Sequence, residues 1–256
     1  MPMSALANFL QYQKDLVDSV SDNPDVIGLV FLGSSADHSR VDEYSDQDFF
    51  LVVKPETGEG FRQDLSWLPN HKSIVLAPRE TAHGLKVLYQ SGLILEFAVF
   101  EDAELELAAA NDYLVALDKQ DISPRMEAIA IRSVPRLFDA EAGFELFLSL
   151  LVIGVGRARR GEVIAADQHI KGYSVEKLIN LVRVARPAGA DRRDSLNAFR
   201  RFELDYPQLG ALIAMHMLQP AEVCAKGLLH LAKTELGLSQ KQLDQVGAVE
   251  SILGWS

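Results

Sequence analysis

Scarce cysteine and the lack of long apolar runs set the first limits on this sequence. Cys224 is the one cysteine among 256 residues, which excludes an intrachain disulfide framework and fits a reducing compartment. The longest apolar run, residues 146–156, contains Ser149 and is too short to span a bilayer, and no cationic-then-apolar leader opens the chain. We therefore expect a cytoplasmic protein that does not bind a membrane.

Basic residues are also fewer than acidic ones. Lysine and arginine number 25 against 36 aspartates and glutamates, so the formal net charge is −11. This balance argues against general nucleic-acid binding and against an anionic membrane as a partner. The hydrophobic content of 48% and the mean hydropathy of +0.04 indicate a globular chain with a sizeable core, in one large domain or two medium ones.

The negative charge is concentrated in the first part of the chain. Residues 1–142 hold 11 basic and 24 acidic residues, a net charge of −13, whereas residues 143–256 hold 14 and 12, a net charge of +2. Short apolar strands and helices alternate in the first part, and helical periodicity dominates the second. We predict an α+β fold in two domains: 1–142 with a mixed β-sheet and flanking helices, and 143–256 as a helical bundle.

Two aspartates one residue apart open a predicted apolar strand, residues 44–53. Successive side chains on a strand point to opposite faces, so Asp46 and Asp48 share one face while Phe49 and Leu51 turn into the core. Two carboxylates on one face repel each other unless a cation lies between them, and hard oxygen ligands favour Mg²⁺ or Mn²⁺. The same spacing also occurs by chance in solvated loops, so its surroundings decide its meaning.

A glycine-serine turn precedes the aspartates. Residues 26–32 form a predicted apolar strand that leads into Gly33 and Ser34, whose backbone N–H groups and hydroxyl suit a phosphate. Carboxylates that hold a metal ion beside such a turn are what phosphoryl or nucleotidyl transfer requires. Gly-Ser, eleven residues and then Asp-x-Asp resembles the nucleotidyltransferase superfamily of the DNA polymerase β type, and most of all the small-molecule (antibiotic) nucleotidyltransferases of bacteria.

The resemblance implies an enzyme and a reaction. A metal-dependent nucleotidyltransferase of the EC 2.7.7 type would transfer a nucleoside monophosphate, with AMP from ATP as the expected case, to a hydroxyl of a small molecule such as an antibiotic, and release pyrophosphate. The implied cofactor is a pair of Mg²⁺ ions, or Mn²⁺ in their place, and the donor is ATP or another nucleoside triphosphate. The alternative is a nucleotidyltransferase-like regulatory module, antitoxin-type or protein-modifying, that acts on a protein partner. A homodimer is compatible with either interpretation.

In this family the third metal ligand comes from a strand beside the Asp-x-Asp strand. Glu96 is a lone acid in the apolar run 93–100, which a serine-glycine turn pairs with residues 84–90 in a predicted hairpin. A buried carboxylate without a partner is costly, so we expect Glu96 to join Asp46 and Asp48 as a metal ligand and catalytic residue. The alternative is an edge-strand glutamate that faces water.

The resemblance also implies that Gly33 and Ser34 hold the β- and γ-phosphates of the nucleotide. Family members often carry an arginine three residues after the serine, whereas this chain has Asp37 there, in a loop one residue longer than the commonest form. Arg40 is the candidate that replaces the missing arginine in triphosphate binding. A solvated loop arginine is an equally good interpretation of Arg40.

Positive charge in the second domain is concentrated between residues 157 and 201, with 11 lysines and arginines against 5 acidic residues. Lys177 is the lysine we expect to contact phosphate, with Lys171 as the second candidate. Glu162 is the candidate general base, because some antibiotic nucleotidyltransferases use a helical-domain glutamate in that role; Glu145 is the second candidate. An ordinary solvated helix surface explains the basic residues equally well.

Local patterns also predict individual elements. Strands beyond those above are expected at 73–77 and, as a last edge strand, at 135–139. Helices are expected in the first domain at 4–20, with Ser4 as its cap, at 61–68 and at 112–131, with an interruption near Ser123 and Pro124. In the second domain they are expected at 144–160, 163–170, 175–186, 195–203, 209–218 and 221–236.

Overall fold

The computed structural model describes residues 5–133, 137–186, 188 and 197–255. The chain divides into two compact units, Met1–Val134 and Pro135–Ser256. The first is built on a six-stranded sheet with flanking helices and the second is helical, so the predicted α+β class is confirmed. The predicted boundary between residues 142 and 143 falls inside a helix, Ala140–Arg159, and the assignment of a catalytic and a substrate-binding domain stays a prediction.

The sheet of the first unit is mixed. Its strands in chain order are β1 (Val26–Leu32), β2 (Gln47–Val53), β3 (Ile74–Leu76), β4 (Gly84–Tyr89), β5 (Ile94–Glu101) and β6 (Tyr113–Asp118). They lie in the order β3-β4-β5-β2-β1-β6, in which β2 and β5 run parallel and the other neighbours are antiparallel. The predicted strand at 26–32 and the predicted hairpin of β4 and β5 are confirmed. Strand β2 therefore lies inside the sheet, with β5 on one side and β1 on the other.

The described helices of this unit are α1 (Ala5–Ser21), α2 (Gly58–Gln63) and α3 (Ile122–Arg132). Alternation along β2 separates two cores: Phe49 packs in a core to which α1 contributes, and Phe50 packs in another to which α3 contributes. Burial on both faces explains the continuous apolar sequence of β2 after Asp48. The Asp118 carboxylate caps the start of α3, because it accepts hydrogen bonds from the Ile122 and Ser123 backbone N–H groups, both at 2.9 Å.

The predicted helix within 112–131 is wrong in its first part. Tyr113–Asp118 is strand β6, which pairs antiparallel with β1, and the helix begins only at Ile122. A short, mostly apolar run of this kind fits either period, and pairing with the buried strand β1 decides between them. The predicted edge strand at 135–139 is wrong for residues 137–139, which are in no strand, while residues 135 and 136 lie outside the described residues. Strand β6 is the edge strand beside β1 instead.

The second unit consists of helices around one core that contains Phe144, Phe147 and Leu228. In the described residues they are α4 (Ala140–Arg159), α5 (Val163–Asp167), α6 (Val175–Ala185), α7 (Phe202–Asp205), α8 (Pro207–Met217), α9 (Ala221–Glu235) and α10 (Gln240–Leu253), with a π-helical segment, Gln168–Ser174, between α5 and α6. No helix in the described part of the chain is long and apolar enough to cross a membrane.

Helix α10 was not predicted, although its start carries a sequence signal. Ser239 and Gln242 form a capping box, in which each side chain bonds the backbone N–H of the other. The helices predicted at 144–160, 209–218 and 221–236 are confirmed within a few residues at each end. The Ser4 cap and residues 195 and 196 of the predicted helix at 195–203 lie outside the described residues.

Candidate active site

Three carboxylates meet at the start of β2. Asp46 directly precedes the strand, Asp48 is its second residue, and Glu96 is in register with Asp48 across the parallel β2–β5 pair. One oxygen from each side chain lies within 4.8 Å of the other two, and all three residues are half-buried. Residues in register on neighbouring strands lie about 4.8 Å apart and point to the same face, so the parallel pairing explains why Glu96 joins the aspartates.

The donor set fits a hard divalent cation. Mg²⁺ binds oxygen ligands at about 2.0–2.1 Å, so ligands on opposite sides of one ion lie about 4 Å apart. Carboxylate oxygens within 4.8 Å of one another are therefore close to the spacing of ligands around a single ion. Carboxylate donors, with no thiolate or imidazole among the three, favour Mg²⁺ or Mn²⁺ over softer metals. Asp46, Asp48 and Glu96 are therefore the residues that would hold such an ion.

The Gly33 turn lies against Asp48. Gly33 has a φ of +53°, a conformation that glycine adopts without strain, and a Cβ built there would lie 3.6 Å from Asp48 Oδ2. The Gly33 N–H donates to the Asp112 carbonyl at 3.0 Å, so this N–H is already engaged. The glycine thus shapes the turn beside the carboxylates, and direct contact between Gly33 and a phosphate stays a prediction.

The two serines of the turn have different surroundings. Ser35 is fully buried, and its Oγ accepts a hydrogen bond from the Asp48 N–H at 2.9 Å and donates one to Gln47 Oε1 at 3.3 Å. Ser34 is half-buried, and its hydroxyl bonds no other residue in the described part of the chain. Ser35 therefore holds the start of β2 in place, whereas the Ser34 hydroxyl is the one that can reach a ligand.

A buried polar network behind the turn was missed in the sequence. Gln13 of α1 donates to the Ser35 carbonyl at 2.8 Å, and its Oε1 lies 2.9 Å from His38 Nε2. Gln47 is fully buried in β2 and donates to the Phe9 carbonyl at 3.0 Å. Buried amides persist where they are hydrogen-bonded, so this network ties α1, the turn and β2 together. Its signal in the sequence is a glutamine at two positions that the apolar pattern assigns to the core.

Arg40 stabilises the turn from the other side. Its Nη2 donates to the Gly33 carbonyl at 3.0 Å and to Asp112 Oδ2 at 2.8 Å. Its Nε lies 3.2 Å from Oδ2 of Asp37, the residue at the position where the family often has an arginine. Arg40 is half-buried and bonds residues of its own loop. The sequence indicated either a phosphate ligand or a solvated arginine, and neither interpretation included these contacts. Its contact with a triphosphate stays a prediction.

A lysine that was also missed pairs with the third carboxylate. Lys86 of β4 is in register with Glu96 of β5, and its Nζ lies 3.0 Å from Glu96 Oε1 and 3.3 Å from Glu80 Oε1. The hydrogen bond to Glu96, followed by that to Glu80, raises the pKa of Lys86. Lys86 and Glu96 are each five residues from Ser91 in the hairpin turn, so counting outward from the turn would have found the pair.

Glu162 and Lys177, the predicted base and phosphate ligand, lie in the second unit. Glu162 precedes α5 and accepts a hydrogen bond from Arg157 Nη1 at 2.5 Å, with Arg160 Nε 3.4 Å away. The Arg157 hydrogen bond lowers the pKa of Glu162, which weakens this carboxylate as a proton acceptor. Lys177 Nζ lies 3.0 Å from Glu176 Oε1. Both functional assignments stay predictions.

Glu145 and Lys171, the second candidates for general base and phosphate ligand, also bond other side chains of this unit. Glu145 accepts a hydrogen bond from Gln245 Nε2 at 3.0 Å, and Lys171 Nζ lies 3.0 Å from Asp167 Oδ2. Solvent-accessible pairs of this kind contribute about 0–1 kcal/mol to stability. Each of these side chains can therefore turn toward a ligand at little cost.

The known proteins to which this chain is similar are solved structures. No family model and no curated protein matches the sequence. The solved structure of a nucleotidyltransferase-like protein from Exiguobacterium sibiricum 255-15 is 14% identical, with a TM-score of 0.36 over 92% of this chain and 78% of that one. An aminoglycoside 6-adenyltransferase from Bacillus subtilis is 12% identical, with a TM-score of 0.31 over 97% of this chain and 92% of its own.

A third similar structure is the CD-NTase CdnG of Bradyrhizobium diazoefficiens, solved in complex with GTP. It is 9% identical, with a TM-score of 0.31 over 96% of this chain and 93% of its own. All three TM-scores are below 0.5, so the function of this chain is inferred from the site itself.

Proposed function

We propose that this chain is a metal-dependent nucleotidyltransferase that transfers a nucleoside monophosphate from a nucleoside triphosphate to a hydroxyl of a small molecule and releases pyrophosphate. One observation carries the proposal: oxygens of Asp46, Asp48 and Glu96 converge within 4.8 Å of one another beside the Gly33 turn. AMP transfer from ATP is the case we favour, and antibiotics are among the acceptors to be tested.

The residues at the site have separate tasks in this reaction. When bound, a divalent cation supplies the positive charge that activates the acceptor hydroxyl and stabilises the leaving pyrophosphate. Asp46, Asp48 and Glu96 hold that cation in place, and the Ser34 hydroxyl donates a hydrogen bond to a phosphate oxygen. Ser35 keeps Asp48 in position through its backbone N–H. Displacement at phosphorus depends mostly on such positioning and on charge.

The charge of the chain supports a requirement for metal in nucleotide binding. Residues 1–142 hold 24 acidic against 11 basic residues, so this part of the chain repels a triphosphate. Cations at the three carboxylates would reverse the local charge where the phosphates bind. We therefore expect nucleotide binding to depend strictly on a divalent cation.

Calorimetric titration tests the proposal. ATP, GTP, CTP and UTP are each titrated into the full chain with and without Mg²⁺, in the wild type and in Asp48→Asn. One nucleotide should bind the wild type only with Mg²⁺, and Asp48→Asn should weaken that binding by about 10–100-fold or more, because it removes a charged ligand.

The matched control is Asp121→Asn. It makes the same charge change at an exposed position where φ is +52°, a conformation that asparagine tolerates. Asp121→Asn should bind nucleotide like the wild type. Equal binding by Asp48→Asn and the wild type would contradict the metal site, and a wild type that binds none of the four nucleotides would favour the regulatory module that acts on a protein partner.

A further inference from the structure

One face of three neighbouring strands carries a carboxylate, a second carboxylate and an ammonium in a row. Asp48 of β2 is in register with Glu96 of β5, and Glu96 is in register with Lys86 of β4. Lys86 Nζ lies 3.0 Å from Glu96 Oε1, while an oxygen of Glu96 lies within 4.8 Å of oxygens of Asp46 and Asp48. Glu96 thus belongs both to the carboxylate cluster and to an ion pair.

We propose that Lys86 is a built-in counter-cation of this cluster and that it sets the affinity of the site for divalent cations. The inference rests on the proposed function, because it assigns the regulation of the same metal site. The Lys86 ammonium and a divalent cation are attracted to the same carboxylate and repel each other. A metal ion in the cluster and the Lys86–Glu96 ion pair therefore oppose each other, so that Lys86 lowers the affinity for the metal.

This repulsion is large enough to measure. A unit charge and a double charge about 6 Å apart in a water-like dielectric repel by enough to change a binding constant about tenfold. The Lys86 side chain is 41% exposed, so the water-like dielectric is the appropriate one. Lys86→Met keeps the aliphatic length and removes the charge. It should bind Mn²⁺ about tenfold more tightly than the wild type, and the gain should shrink at about 1 M salt, where the Debye length is about 3 Å.

Glu80 is a second carboxylate with which the Lys86 ammonium can pair. Glu80 Oε1 lies 3.3 Å from Lys86 Nζ, so Lys86 can turn from Glu96 to Glu80 and keep an ion pair. Glu80→Gln removes this second acceptor and should weaken Mn²⁺ binding. In the Lys86→Met background the same change should have a smaller effect, because no ammonium has to move. Such non-additivity is the mark of a competing cation, and a purely structural role of Lys86 would not produce it.

The test is calorimetric titration of the full chain with Mn²⁺ alone. The variants are Lys86→Met, Lys86→Arg, Glu80→Gln and the Lys86→Met/Glu80→Gln double variant. Lys54→Met is the matched control, because Lys54 follows the other end of β2 and pairs with Asp25 at 3.7 Å. Lys86→Met should gain affinity, Lys86→Arg should stay close to the wild type because it keeps the charge, and Lys54→Met should not change. Equal affinities for Lys86→Met and Lys54→Met, or weaker binding by Lys86→Met, would overturn the inference.

Failure of this inference is distinguishable from failure of the proposed function. If the wild type binds Mn²⁺, Asp48→Asn does not, and Lys86→Met equals Lys54→Met, the metal site stands and the assignment of Lys86 falls. If neither the wild type nor Lys86→Met binds Mn²⁺, the metal site itself falls and the inference falls with it.

Discussion

Ser34 and Ser35 are adjacent in the turn before the carboxylates, yet their side chains have opposite environments. The Ser35 hydroxyl is buried and accepts the Asp48 N–H at 2.9 Å. The Ser34 hydroxyl is half-buried and bonds no residue of the part of the chain that the structure describes. A buried hydroxyl that satisfies a backbone donor supports the fold, whereas an accessible one is free to bind a ligand. Neighbours in sequence can therefore be assigned different roles.

Substitution of each serine by alanine should separate these roles. Ser35→Ala removes the acceptor of the Asp48 N–H and the donor to Gln47, and should lower the free energy of unfolding by about 1–3 kcal/mol. Ser34→Ala should change it by no more than about 0.5 kcal/mol, but should weaken Mg²⁺-dependent nucleotide binding. Urea denaturation gives the first quantity and calorimetric titration the second. A larger loss of stability in Ser34→Ala than in Ser35→Ala would refute the assignment.

At the scale of elements, helix α4 approaches the π-helical segment at one glycine. A Cβ at Gly154 would lie 2.5 Å from Ile170 Cγ1 and 3.3 Å from His169 Cβ, whereas a Cβ at Gly156 would have no neighbour within 4 Å. Ile170 is fully buried, so it cannot move aside easily. In the segment itself, the Ser174 hydroxyl donates to the His169 carbonyl at 2.9 Å. The close contact between α4 and this segment thus depends on the missing side chain at Gly154.

Alanine at these two glycines should have effects of opposite sign. Gly156→Ala should raise the free energy of unfolding by about 0.5–1 kcal/mol, because alanine has the higher helix propensity. Gly154→Ala brings the same propensity, but overpacking against Ile170 costs about 1–3 kcal/mol and should make the net effect a loss of stability. Urea denaturation of both variants measures the difference. Effects of the same sign would contradict the packing of α4 on the segment.

At the scale of the whole molecule, carboxylates outnumber basic groups, so we expect low pH to destabilise the fold. Glu222 of α9 shows the mechanism. Hydrogen bonds from Arg159 Nη2 at 2.6 Å and from Trp255 Nε1 at 2.9 Å hold the pKa of Glu222 at about 2. Because Arg159 lies in α4 and Trp255 follows α10, this carboxylate joins three parts of the helical unit. A carboxylate with a lowered pKa stabilises the fold only while it is ionised.

The direction of the pH dependence follows from that shift. The contribution of Glu222 is complete above its ordinary pKa of 4.5 and is lost as the pH falls toward about 2. Glu222→Gln should therefore be less stable than the wild type at neutral pH, and the difference should narrow as the pH falls below 4.5. Asp244→Asn, at an exposed carboxylate that accepts a hydrogen bond from Gln240, is the control for the loss of a surface carboxylate at neutral pH. A pH-independent difference between Glu222→Gln and the wild type, measured by urea denaturation, would contradict the ion pair.

The sequence by itself determined the elements and residues that depend on local order. Short apolar runs bounded by turn residues predicted the strand at 26–32 and the hairpin of β4 and β5. The alternation of side chains along a strand placed Asp46 and Asp48 on one face at the start of β2, and Glu96 was singled out as the lone acid of an apolar strand. These patterns extend over fewer than about ten residues, which is the range at which side-chain period is informative.

Only the tertiary structure decided what depends on partners distant in the chain. Tyr113–Asp118 forms strand β6 because its backbone pairs antiparallel with that of β1. This pairing decides against the helix that was predicted for the segment. The Gln13 contact with Ser35 spans 22 residues, and the Arg40 contact with Asp112 spans 72. Hydrogen bonds and ion pairs across such separations follow from strand order and helix placement. Strand order also brought Glu96 beside Asp48, since the parallel pairing of β2 and β5 requires a connection that local sequence patterns do not specify.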